Sequence, residues 1–133
     1  MPTDALIALQ ASVTKTATFN GAALILAGGT PRRGLWARIV YSAANTSSGA
    51  GTLSWSIDAC YDGVPTTWFS DFISPTLTLS ATAQAGEIYI PFNVQPTVVS
   101  GAITAPQIRL SVFAITGTGA TVTYQGDIVL TKP

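Results

Sequence analysis

Asp58 and Asp62 stand four residues apart, Asp71 follows, and Glu87 lies further on. Carboxylates so grouped could serve acid–base chemistry on a glycoside or hold a calcium ion. Their surroundings favour a plainer reading. Asp58 falls within "TLSWSIDACY", which alternates as a strand does, and Asp62-Gly63 in "CYDGVPTTW" has the composition of a tight turn. A calcium loop would instead gather several oxygens on an irregular stretch. The chain has no histidine, which removes Ser-His and Cys-His nucleophilic pairs and the commonest transition-metal ligand. The expectation is a protein that is not an enzyme and uses no cofactor or metal.

The glycine-rich pieces Gly28-Gly29 and "GTG" at 117–119 lack the Lys-Ser/Thr pair and the strand-turn-helix setting of a phosphate-cradling loop, so they read as turns. Aromatic residues offer more. Trp36, Trp55 and Trp68 could stack on sugars, since an aromatic face supplies apolar area beside an edge that can hydrogen-bond. Trp55 belongs to the core by strand parity, while Trp68 and Phe69 are the aromatics expected at the rim, either closing the core or meeting a neighbour. Arg32 and Arg33 follow Pro31 at a loop tip and could dock onto an acidic partner or simply be solvated. The apolar run "ALIAL" offers Leu6, Ile7 and Leu9 either to a neighbouring subunit, as an arm over residues 1–11, or to an edge strand.

Charged residues make up 9% of the 133 residues, against about a quarter in ordinary soluble domains, and six basic residues cancel six acidic ones. Such a surface is polar yet nearly uncharged and tolerates close docking. It gives nucleic acid no concentrated basic face. Cys60 is the sole cysteine, so a disulfide scaffold is excluded and assembly in a reducing cytoplasm fits. No stretch reads as a secretion signal or is long and apolar enough to span a bilayer as a helix.

These residues must be positioned by strands. Thr, Val, Ile and aromatics dominate, turns punctuate the chain every eight to twelve residues, and no helical periodicity is sustained. The reading is an all-β single antiparallel β-sandwich of about eight strands over 12–133, jelly-roll-like or immunoglobulin-like. Within it, "SVTKTATF" is expected to form a hairpin with "AALILA" through a type I′ turn at Asn20-Gly21. "LWARIVYS" should turn Leu35, Ala37, Ile39 and Tyr41 to one face and Trp36, Arg38 and Val40 to the other. After a polar loop at 43–51, Leu53, Trp55, Ile57, Ala59 and Tyr61 should face the core. Thr52, Ser54, Ser56, Asp58 and Cys60 should face solvent or a partner. Further strands are expected at 76–82, 87–94, 107–116 and 120–126, with "DIVLT" closing the chain and 95–106 an irregular loop. Pro91 marks an edge or a bulge, because proline cannot donate to a ladder, and Gly126 a second bulge.

The order of segments adds a resemblance. From "ASVTKTATFNGAALILAGG" through "GLWARIVYSAANTSSGAGTLSWSIDACYDGVPTTWFSDF", residues 12–72 resemble head decoration, or cement, proteins of tailed bacteriophages. The shared order is an N-terminal hairpin, an Arg-bearing strand, a small-residue loop, an alternating strand, then a Ser-x-Asp-Gly-like turn and an aromatic. Cys60 stands where that pattern commonly has serine, and Val64-Pro65-Thr66-Thr67 lengthens the approach to Trp68. The resemblance implies a virion protein on the outer capsid surface, binding the major capsid protein, often as a homotrimer, and bridging capsomers. A tail or head-fibre domain is the related alternative. A carbohydrate-binding β-sandwich resting on Trp36, Trp68 and Phe69 is the alternative from another class.

Overall fold

The computed structural model describes residues 7–25, 34–60, 68–93, 97–99, 102–104 and 107–129. Their strands are β1 (Ile7–Lys15), β2 (Phe19–Asn20), β3 (Leu24–Ile25), β4 (Leu35–Asn45), β5 (Ser48–Cys60), β6 (Phe69–Ile73), β7 (Leu77–Leu79), β8 (Gln84–Phe92), β9 (Thr97–Val99), β10 (Ala102–Thr104), β11 (Gln107–Thr118) and β12 (Thr121–Val129). The first sheet has the order β1-β12-β4-β8. In the second, β11 and β5 form the centre, β2 and β3 both pair with β11, and β6 and β7 both pair with β5. Every pairing is antiparallel. The short strands β9 and β10 form a separate ribbon within the stretch expected to be irregular.

Counting β2 with β3 and β6 with β7 as two interrupted strands, and leaving the ribbon aside, eight strands remain. The N-terminal and C-terminal ones are neighbours in one sheet, and consecutive segments repeatedly change sheets. That order, first-eighth-third-sixth against second-seventh-fourth-fifth, is the jelly roll and decides between the two sandwiches expected from sequence.

Alternation on the long strands builds the interior. Leu35, Ala37, Ile39 and Tyr41 on β4 meet Leu53, Trp55, Ile57 and Ala59 on β5, joined by Ile108, Leu110 and Val112 from β11 and Val122, Tyr124 and Ile128 from β12. These are the core residues the alternation of β4 and β5 indicates, except that Tyr61 lies outside the described residues. Trp55 sits at the centre with ring centroids 5.6 Å from Tyr41 and 5.7 Å from Tyr124.

Several expectations are corrected. No hairpin forms at Asn20-Gly21: β1 pairs with β12 of the first sheet, whereas β2 and β3 run along β11 of the second. Gly21 is required for another reason. Its N–H donates to the Leu110 carbonyl (3.0 Å), and a Cβ there would collide with that carbonyl oxygen. The polar loop at 43–51 shrinks to Thr46-Ser47. Thr46 is buried, its N–H donates to Ser80 O and its Oγ1 to Gly49 O, while the N–H and Oγ of Ser47 both donate to Thr118 O. "DIVLT" is not a separate strand, since β12 continues unbroken through Val129. Gly126 is no bulge in its own strand. The register shifts lie opposite, in β1 between Ala8 and Val13, and a Cβ on Gly126 would strike the Leu110 side chain. Pro91 does lie on an edge strand, β8.

The core holds two polar atoms that lack a hydrogen-bond partner among the described residues, Trp55 Nε1 and Tyr124 OH. Burial pushes the Tyr124 phenol up to about 12. An unfolded chain releases this proton near pH 10 while the folded chain retains it. Stability from this group is therefore complete below pH 10 and should decline by about 2 kcal/mol as pH rises from 10 to 12. Tyr124→Phe should leave stability at pH 7 unchanged or raise it by up to about 1 kcal/mol, because it removes an unsatisfied hydroxyl. The same substitution should flatten the alkaline decline, as urea titrations at pH 7 and 11 would show. A loss above 2 kcal/mol at pH 7 would mean that the hydroxyl is satisfied in solution.

Candidate interaction surface

On β5, parity directs Ser54, Ser56, Asp58 and Cys60 away from the core, yet all four are buried, which corrects their expected exposure. The register explains much of this. Asp58 lies opposite Arg109 and Ser56 opposite Ser111 on the adjoining β11, and β6 brings Ser70 alongside. The carboxylate accepts four hydrogen bonds, from Ser56 Oγ (2.7 Å) and Ser70 Oγ (2.8 Å) on Oδ1 and from Arg109 Nε (2.9 Å) and Ser111 Oγ (2.8 Å) on Oδ2. Burial alone would raise the Asp58 pKa. The bonds from Ser56, Arg109, Ser111 and Ser70 outweigh it and hold the carboxyl below its usual value. Asp58 is thus a permanent anion saturated with donors, an anchor unsuited to proton transfer.

Trp68 completes the stack. Its half-buried ring covers the Arg109 guanidinium, with Cζ 4.2 Å from the ring centroid. Layering of tryptophan over arginine over aspartate pins the start of β6 to the sheet, a cation–π contact worth about 0.5–2 kcal/mol. Trp68→Ala should loosen this region without unfolding the sandwich, and faster amide exchange at Phe69–Ile73 against unchanged rates in β4 would register it.

The sheet that carries this anchor also carries the exposed apolar residues. The large hydrophobic side chains exposed among the described residues are Ile25 (62%), Phe69 (50%), Ile73 (48%) and Phe113 (45%), on β3, β6, β6 and β11. All belong to the second sheet, and the first sheet exposes no large hydrophobic residue of this kind among the described residues. Ile73 pairs with Ser56, so it stands beside the anchor, while Phe113 occupies the irregularity in β11 between Val112 and Ala114.

The residues singled out from sequence are dispersed. Leu6, Arg32 and Arg33, like Asp62-Gly63, lie outside the described residues. Leu9 is buried in the core and half-buried Ile7 packs against it, both on the edge strand β1, which is the second of the two placements expected for this run. Trp36 is half-buried on the outer side of the first sheet, away from Trp68 and Phe69 on the second, so the three form no common aromatic platform. Phe69 is the expected candidate that stands most open. Sequence reasoning missed Arg109, Ser70, Ser111, Ile73, Ile25 and Phe113. One available signal was a single arginine and a single aspartate, each at alternating spacing from serine, in two strands otherwise without charge.

Among the described residues no three His, Cys, Asp or Glu converge as a metal would require. Among the described residues no helix is long and apolar enough to cross a membrane. No family model, curated protein or solved structure matches the chain.

Proposed function

We propose that this chain is a structural protein of a phage virion that binds the outer surface of the capsid and stiffens it by bridging capsomers, as a homotrimer. The observation that carries the reading is the concentration of exposed Ile25, Phe69, Ile73 and Phe113 on one sheet of a nearly uncharged domain. Exposed apolar side chains on a sheet that is pinned by a rigid polar anchor suit a protein contact, in which a few buried aromatic and aliphatic groups supply most of the affinity. The resemblance of residues 12–72 to decoration proteins supports the same reading. The jelly roll, an architecture that viral capsid proteins share with lectins, is compatible with it as an analogy of fold only.

The test is light scattering on the purified chain, followed by co-sedimentation with undecorated capsids of tailed phages. A trimer that pellets with capsids is expected. The pair Phe69→Ser and Ile73→Ser should weaken capsid binding or trimer formation at least tenfold while leaving the fold intact, because both side chains are already half open to water. A stable monomer that stays in the supernatant of every capsid tried would overturn the reading.

A further inference from the structure

The outer side of the first sheet differs chemically from that of the second. Parity on β4 places Trp36, Arg38, Val40 and Ser42 there, joined by Glu87, Tyr89 and Pro91 of β8 and Thr123, Gln125 and Asp127 of β12 through the cross-strand pairs. Three of these side chains hold one another in place. Arg38 Nη2 donates to Glu87 Oε1 (2.7 Å), and Tyr89 OH donates to Glu87 Oε2 (2.9 Å). Hydrogen bonds from Arg38 and Tyr89 keep the Glu87 pKa below its ordinary value, so the cluster stays assembled at neutral pH.

Beside it is a shallow hollow of about 160 Å³, lined by Ser12, Val40, Ser42, Thr123 and Gln125 together with Tyr41 and Tyr124, whose side chains turn into the core. Ser12 lies in the stretch of β1 where the register shifts. The hollow is smaller than the roughly 300–1,000 Å³ of pockets for drug-sized ligands and matches one ring-sized group. The lining side chains on this side of the sheet are Val40, three hydroxyls and one amide, all uncharged. Val40 pairs with Glu87, so the hollow opens directly onto the Arg38–Glu87–Tyr89 cluster, and Trp36 lies about 13 Å further along β4 at 3.3 Å per residue.

We propose that this side of the first sheet is a binding site for a neutral oligosaccharide. One sugar ring occupies the hollow, with its hydroxyls on Ser12, Ser42, Thr123 and Gln125. The next residues of the glycan lie along β4, over the ring of Tyr89 and toward Trp36, with Arg38 and Glu87 offering paired donors and acceptors to vicinal hydroxyls. An aromatic face beside preorganised polar groups is the chemistry that recognises the alternating apolar and hydroxylated surfaces of a sugar. Charge selects the class. Arg38 is offset by Glu87, and Asp127 pairs across from Arg38, so this side carries no excess positive charge to attract a phosphate or an acidic polysaccharide.

The site lies on the opposite sheet from Phe69 and Ile73 and stands or falls separately from capsid binding. The test is titration of the isotope-labelled protein with neutral hexasaccharides (cellohexaose, maltohexaose, xylohexaose, mannohexaose and hexa-N-acetylchitohexaose) by NMR, with heparin as an acidic comparison. The expected result is saturable shifts at amides of residues 36–42, 87–91 and 123–127 with at least one neutral hexasaccharide. That affinity should fall at least tenfold in Tyr89→Ala and in Gln125→Ala and stay within twofold in Phe69→Ser. Both variants alter exposed or half-exposed side chains, and their unshifted core resonances would show them folded. Absence of saturable shifts with all five sugars at millimolar concentration, binding that survives both variants, or preference for heparin would each overturn the proposal.

Discussion

Replacing Asp58 with alanine is expected to lower the free energy of unfolding by about 3–5 kcal/mol, among the largest losses available to a single substitution in this protein. The carboxylate is 2% exposed and accepts from three serines and one arginine. Its removal leaves Arg109 without a counter-charge beneath Trp68 and three hydroxyls without their acceptor. Asp58→Asn should recover little, because an amide nitrogen would confront donors that now meet an oxygen. The double variant Asp58→Ala with Arg109→Met should be more stable than Asp58→Ala alone, since the penalty comes mainly from the orphaned cation. Urea unfolding of the four proteins would establish this, and a loss below 1 kcal/mol for Asp58→Ala would show that water reaches the site. The sign with pH is also set. A carboxyl held below its usual value contributes stability that is complete above pH 4, the ordinary aspartate range, and is lost as pH falls through the folded value.

Trp55→Ala is the second severe change, with an expected cost of about 3–5 kcal/mol. The indole is fully buried between Tyr41 and Tyr124, where the two sheets face each other, and its deletion leaves a void that neighbouring strands cannot close without breaking register. Trp55→Phe should cost less than half as much. It keeps an aromatic surface against both tyrosines and sacrifices only an N–H that has no partner among the described residues. Thermal unfolding of both variants would test the ordering. A phenylalanine variant as unstable as the alanine one would mean that the indole N–H contributes a hydrogen bond in solution.

The alternation of β4 and β5 made the core legible because period-two patterning states directly which side chains share a face. The same parity assigned Asp58 correctly to the side away from the core and still misjudged its exposure. Facing outward and meeting water are separate facts: Arg109, Ser111 and Ser70 come from strands 12 to 53 residues away and shelter it. Asn20-Gly21 misled for a related reason. A local turn signal was outweighed by the close approach of Gly21 to the Leu110 carbonyl, a constraint that no window around residue 20 contains. The loop expected at 43–51 disappeared because Thr46 and Ser47 find acceptors at Gly49 and Thr118 and so keep β4 and β5 paired almost to their tips. The exposed Ile73 and Phe113 were hidden in sequence because Ile73 directly follows Phe72, which packs against the core, and Phe113 shares β11 with Ile108, Leu110 and Val112, which belong to it.

The interrupted outer strands have a consequence for life at high concentration. A protein without net charge has no long-range repulsion to keep copies apart, and an open strand edge is a template on which another chain can grow. Among the described residues the outer edges of the two sheets are all interrupted: β1 by its register shifts, β8 by Pro91, one side of the second sheet by the break between β2 and β3, and the other by the break between β6 and β7. Backbone geometry thereby does the work that charge does in most soluble proteins. Copies are thus expected to crowd side by side through their side chains without zipping into fibres.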